Sequence, residues 1–178
     1  MDLNPESNST VTVIKADFNQ SRHATALIEL MNIYAQHPMG GGSGLSEYAR
    51  VHLAKEMARR PTLFSYIAFI GENPVGLVNC IESFSSFACK PLINIHDLVV
   101  KADYRHQGVA QALLAAVQQN AIRRGCCKLT LEVLENNHPA RNLYTKFGFG
   151  PYSLFAGDET VKRNDQGRQT LFWQKSIN

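Results

Sequence analysis

The sequence predicts a mixed α/β fold: a central, mostly antiparallel sheet with one parallel strand–helix–strand crossover, and helices on both faces. Three observations carry that prediction. Residues 93–100, INIHDLVV, form an apolar strand-like run. It passes through KADYRHQG into a helical stripe with apolar residues at 109, 113, 117 and 121, and again at 110 and 114. A second β-rich run, CKLTLEVL at 127–134, follows that helix, and a unit of this kind closes as a right-handed crossover with parallel strands. Upstream, TLFSYIAFI and VGLVNCIESFS flank the turn residues Gly71, Glu72, Asn73 and Pro74, which makes an antiparallel hairpin.

At 178 residues the chain is one domain's length, enough for a substantial core. Residues 1–10 read as a flexible polar lead and 11–178 as a single domain. Within it, VTVIKA at 11–16 alternates as a first strand. Ser21 opens a helix to about Gln36, with Ala24, Leu27, Ile28, Met31 and Tyr34 or Ala35 at helical spacing. HPMGGGSG at 37–44 is a glycine-rich connection. It lacks the Lys-Ser/Thr ending of a phosphate-binding loop and does not follow a strand. A second helix spans 45–60, with Ser46 as N-cap and Pro61 as its stop. After the hairpin and the crossover, Asn136 or Asn137 caps a helix of about ten residues that tolerates Pro139 in its first turn and ends at Gly148. FGPYSLFA and TLFWQKSI, separated by polar GDETVKRNDQGR, read as a closing hairpin.

Composition excludes several classes. Hydrophobic residues are 44%, charged residues 19% and the net charge +3, the balance of a soluble globular protein. The basic pairs at 59–60, 123–124 and 162–163 are scattered, which argues for solvated surface and against a nucleic-acid partner. The four cysteines form no C-x-x-C, and vicinal Cys126 and Cys127 point to opposite faces, so reduced thiols are expected. The first ten residues have no basic segment or apolar core of a secretory leader, and no apolar run approaches the ~20 residues that cross a bilayer. A cytoplasmic protein with no membrane partner is the expectation.

The junction between residues 93–100 and the following helix carries the first chemistry. A helix start presents N–H groups without intrahelical partners at the positive end of the dipole, so it favours an anion. Gly108 permits close approach of the backbone, and Arg105 adds a permanent forked charge. A phosphate or pyrophosphate site follows. Arg105, His106, Gln107, Gly108, Val109 and Ala110 together resemble the R/Q-x-x-G-x-G/A signature of the GNAT acetyltransferases, which bind acetyl-CoA there. His106 departs from the glycine common in that family. A second stretch, Asn137, Ala140, Leu143, Tyr144, Gly148 and Phe149, resembles the family's later motif, and the element order is that of the GNAT fold.

The resemblance implies that Val99 and Val100 offer backbone groups to the pantetheine arm, that residues 105–110 enclose the pyrophosphate, and that Asn137 and Tyr144 face the thioester. It implies acetyl transfer from acetyl-CoA to an amine of a small molecule, peptide or protein, with Tyr144 as general acid. A phenol is protonated at neutral pH, as a proton donor to sulfur must be. His96, Asp97 and Glu132 are the candidates for the base. His96 and Asp97 are adjacent strand residues, so only one faces the acceptor unless a bulge intervenes. The first two helices, the 37–44 loop (with His37 and Met39), residues 82–85 and the last hairpin are expected to border the acceptor. A catalytically silent acetyl-CoA sensor is the alternative reading, and family members often form homodimers.

Overall fold

In the computed structural model, residues 10–152, 161–163 and 169–177 are described. The elements run β1 (Val11–Lys15), α1 (Ser21–Gln36), α2 (Glu47–Ala58), β2 (Leu63–Ile70), β3 (Asn73–Ser85), β4 (Lys90–Val100), α3 (Val109–Arg123), β5 (Lys128–Leu134), α4 (His138–Phe147), β6 (Gly150–Pro151), β7 (Val161–Arg163) and β8 (Gln169–Ser176). They build an eight-stranded sheet ordered β1-β2-β3-β4-β5-β8-β6, with β7 also on β8. Every pairing is antiparallel except β4 with β5. The predicted fold class stands, and most of the lead at 1–10 and of the loop at 157–168 falls outside the described residues.

The helices cover both faces. Val109, Leu113, Val117 and Ala121 of α3 sink into one core with Val78, Ile93, Ile95, Leu129 and Leu131. Leu27 and Leu30 of α1 and Met57 of α2 pack the other face over Ile67, Phe69, Leu77 and Val99. Fully burying a side chain of this size contributes about 1.5–3 kcal/mol, so these two stripes fix the layering. A close approach sets where α3 begins. A Cβ on Gly76 of β3 would lie 2.9 Å from Val109 Cγ1 and 3.1 Å from Leu113 Cδ1, so glycine there lets the first turn of α3 press onto the sheet.

Two details differ from the reading of the sequence. The β2–β3 hairpin turns on Gly71 and Glu72 alone, because Asn73 already pairs with Ile70. In β4 the register to β3 slips: Asn79 faces Asp97 while Cys80 faces Ile95. His96 is therefore the extra residue of a β-bulge. Alternation resumes one step out of phase, so Ile93 and Ile95 join the α3-side core before the bulge whereas Val99 joins the α1-side core after it.

Candidate active site

The bulge coincides with a parting of strands. β4 and β5 are paired at Ile93 with Leu129, Asn94 with Thr130 and Ile95 with Leu131, and no further. Among the described residues, the β5-side edge of β4 has no strand partner beyond Ile95. A cavity of about 560 Å³ opens here, with Leu98, Val99 and Val100 as one wall. An extended chain could add to that edge as a strand would.

The start of α3 forms a second wall through Arg105, His106, Gly108, Val109 and Ala110. Gly108 is the N-cap with φ 81°, and it supplies no capping side chain. The first N–H groups of α3 therefore remain available for an anion. A Cβ at Gly108 would meet nothing within 4 Å, so the requirement for glycine there lies in its left-handed backbone and in the room it leaves for a ligand. His106, where the family commonly has glycine, is also left-handed, with φ 61°. Arg105 Nε donates to the Val100 carbonyl at 3.3 Å, which folds this exposed side chain back over the end of β4. Gln107 does not line the cavity; its Nε2 donates to the Asp103 carbonyl at 2.9 Å and braces the turn.

The third wall is α4. Asn137 caps it, its Oδ1 accepting from the Ala140 N–H at 3.3 Å, which leaves the side-chain NH₂ free to donate. Tyr144, two turns on, is 8% exposed and lines the cavity. Burial, and secondarily Tyr34, push its phenol well above the ordinary tyrosine range, so it stays protonated across neutral pH. The far end of α4 is anchored by Lys175, whose Nζ donates at 2.6 Å both to the Phe147 carbonyl and to Gln118 Oε1 of α3. Tyr144 thus sits on a helix fixed at both ends.

The fourth wall comes from α1 and the loop after it, through Ile33, Tyr34, His37 and Met39. The 37–44 segment is a set of turns rather than an open link: Gly40 and Gly42 donate to the His37 carbonyl, and Leu45 donates to Asn32 Oδ1 at 3.1 Å. Tyr34 escaped the sequence reading because an aromatic in a helical stripe reads as core. Its position immediately before the glycine-rich loop was the available signal.

The three candidate bases part company. His96 is exposed at the bulge and Glu132 is exposed on β5, and neither lines the cavity. Asp97 is half-buried and accepts from Asn79 Nδ2 at 3.0 Å. It is not a lining residue either, but it directly precedes Leu98, which is; the pKa of Tyr34, another lining residue, is raised by burial and then by the Asp97 carboxylate. Because of the bulge, His96 and Asp97 need not oppose each other across the sheet, as strict alternation would have required. The expectation for residues 82–85 is corrected at its first member: Glu82 pairs with Arg124 at the end of α3, on the opposite side of the sheet from α1.

A family model described as the acetyltransferase (GNAT) family matches residues 26–149. The chain belongs to this family. The GNAT match runs from α1 to the end of α4 and so contains every wall of the cavity. A streptothricin acetyltransferase of Escherichia coli is 30% identical over 110 residues, which are 61% of this chain and 60% of that one. A thialysine N-epsilon-acetyltransferase of Bos taurus is 38% identical over 56 residues, 32% of this chain and 33% of that one. The chain therefore spans less than two thirds of either relative. Among solved structures, one chain of the NatC complex bound to Gag peptide and CoA shares the fold with a TM-score of 0.71 at 17% identity, covering 94% of this chain and 99% of that one. The GNAT family uses acetyl-CoA as donor, and the arrangement here fits that molecule: a free strand edge, an uncapped helix start and a buried phenol line one cavity. No helix among the described residues is long and apolar enough to cross a membrane.

Proposed function

We propose that this GNAT protein transfers an acetyl group from acetyl-CoA to a primary amine by direct attack, with Tyr144 as general acid and Asp97 as base. The observation that carries the reading is the shared cavity: the main-chain donors at the start of α3, the unpaired edge of β4 and the Tyr144 ring all border it. The N–H groups around Gly108, with Arg105, would hold the pyrophosphate. Val99 and Val100 would receive the pantetheine arm, and the free NH₂ of Asn137 would reach toward the thioester.

Acetyl-CoA supplies an activated acyl group; the chain supplies position and protons. Holding amine and thioester together contributes most by removing the entropy of encounter. N–H groups at the parted strands can meet the negative charge that develops on the carbonyl oxygen. Asp97 takes a proton from the amine, and Tyr144 gives one to the departing sulfur. Asp97 is favoured over His96 and Glu132 because it is half-buried, is held by the buried Asn79, and directly precedes the cavity-lining Leu98. The acceptor is an amine of a small molecule, a peptide or a protein. We also place the protein in the cytoplasm, where Cys80, Cys89, Cys126 and Cys127 would remain the free thiols they are here.

Thiol release from acetyl-CoA tests this reading, with streptothricin, thialysine and a peptide N-terminal amine as acceptors. At least one should be acetylated, and Tyr144→Phe should lower kcat about 100-fold while the ring keeps its packing against Phe149. CoA binding without turnover on any of the three would favour the catalytically silent sensor.

A further inference from the structure

The loop after α1 is tied down at both ends, and it brings two side chains to the cavity. The His37 N–H donates to the Tyr34 carbonyl at 3.0 Å, and the His37 carbonyl accepts from Gly40 at 2.7 Å and from Gly42 at 3.2 Å. A Cβ on Gly40 would overlap the Tyr34 carbonyl oxygen, so the turn closes directly onto the last residues of α1. At the far end, Asn32 Oδ1 accepts from the Leu45 N–H at 3.1 Å and from Arg50 Nη2 at 3.0 Å. Arg50 Nε in turn donates to the Leu45 carbonyl at 3.1 Å. The segment is therefore anchored to α1 at its start and to both α1 and α2 at its end. A binding loop held in place before the ligand arrives removes an ordering cost from binding.

The two side chains differ in kind. Met39 lines the cavity together with Ile33 of α1 and Leu98 of β4, three apolar groups from three segments. His37 lines it too, and its Nδ1 accepts from the Met39 N–H at 3.2 Å. In the neutral ring the proton then sits on Nε2, which is a donor. An apolar seat with a polar donor beside it suits a ligand that carries hydrocarbon and a carbonyl close together. We infer that the acceptor amine is the N-terminal α-amine of a peptide or protein chain whose first residue has a large apolar side chain. The inference rests on the acetyl transfer proposed above, in which the donor lies along β4 and α3 and leaves the α1 wall to the acceptor. That side chain rests on Ile33, Met39 and Leu98, and the first carbonyl accepts from His37 Nε2. The α-nitrogen bonds to the acyl carbon, the carbon–sulfur bond breaks, and one proton leaves the nitrogen as one reaches sulfur. The ε-amine of a lysine has neither a carbonyl nor a branching side chain next to its nitrogen.

Thiol release by the full chain tests the inference with peptides that differ only in their first residue: leucine, methionine, serine or glutamate. Two further acceptors complete the panel, a peptide blocked at its N-terminus with one internal lysine, and phenethylamine, an apolar amine without a carbonyl. The leucine and methionine peptides should show a kcat/KM about tenfold or more above every other acceptor. Met39→Ser should lower kcat/KM for the leucine peptide about tenfold, leave the serine peptide within about twofold, and keep the acetyl-CoA KM near wild type. A CoA titration of that variant confirms that its donor site is folded. Equal use of the four peptides overturns the inference, as does a leucine preference that survives Met39→Ser. Phenethylamine matching the leucine peptide would remove the carbonyl contact and overturn it as well. Acetylation confined to the internal lysine or to streptothricin leaves acetyl transfer standing and removes only the α-amine. If no amine releases thiol while CoA still binds, acetyl transfer itself fails and the inference falls with it.

Discussion

At the start of α3 the groups that would meet a ligand are mainly main-chain N–H groups. Their places are set by two left-handed residues, His106 and Gly108, and by the contact of Val109 over Gly76. Around the bulge of β4 the groups that would take part in the proposed chemistry are side chains. There Asp97 is placed by Asn79 and Ser65 on two other strands. A main-chain site needs a particular residue type at a particular step, because few residues adopt a left-handed backbone easily. A side-chain site needs only that distant segments come into register. On the proposed reading the two ends of the cavity should therefore respond to mutation differently: the donor end through backbone geometry and the acceptor end through single functional groups.

The largest expected effect is at the acceptor end. Asp97→Asn keeps the shape and the bond from Asn79 but removes the proposed base, and kcat should fall by about 100-fold or more. The acetyl-CoA KM should hardly move, since the proposed donor contacts lie elsewhere. Glu132→Gln and His96→Asn should each leave kcat within about threefold of wild type, as both side chains are exposed, whereas Asp97 is half-buried and held by Asn79. Steady-state kinetics on the three variants would decide among the candidates. A hundredfold loss confined to Glu132→Gln would move the base across the parted strands to β5.

A smaller effect of the opposite kind is expected at the donor end. Gly108→Val forces a β-branched residue into a left-handed conformation at φ 81° and sets methyl groups where the anion should lie. The backbone penalty is about 1–2 kcal/mol, and the apparent acetyl-CoA KM should rise about tenfold or more, equivalent to ~1.4 kcal/mol. Once donor is saturating, kcat should recover most of its value. Titration of CoA binding with a parallel thermal melt separates affinity from stability. Unchanged affinity in a folded variant would remove the pyrophosphate from α3.

This difference also explains what could be read before the fold was known. The hexapeptide at 105–110 suggested an anion site because Gly108 and the following helix are local features, and the left-handed N-cap it implied is there. The Asn137 cap and the length of α4 were legible for the same reason, since a cap and its helix lie within one short stretch. Tyr34 and the Ser65–Asn79–Asp97 ladder were not. Asn79 lies inside an apolar run and 18 residues from Asp97, and only the bulge at His96 aligns the two. No local period records a register slip between strands. Glu82 illustrates the reverse error: its place in β3 suggested the acceptor side, but the pairing with Arg124 shows it on the α3 side.

The smallest expected effect is at His106. Its φ of 61° lies where histidine is tolerated better than most residues but still at some cost. Glycine would relieve that strain and at the same time enlarge the freedom of the unfolded chain, by roughly 0.5–1 kcal/mol. The two effects nearly offset, so His106→Gly should alter stability by less than about 1 kcal/mol in a denaturant titration. His106→Val has no such tolerance and should lose about 1–2 kcal/mol. Affinity then sharpens the contrast between the two ends. If main-chain groups hold the anion, His106→Gly keeps the acetyl-CoA KM within about twofold of wild type, a difference of less than ~0.5 kcal/mol. A tenfold rise in KM with stability unchanged would mean that the imidazole itself contacts the cofactor, and that this chain has replaced part of a main-chain site with a side chain.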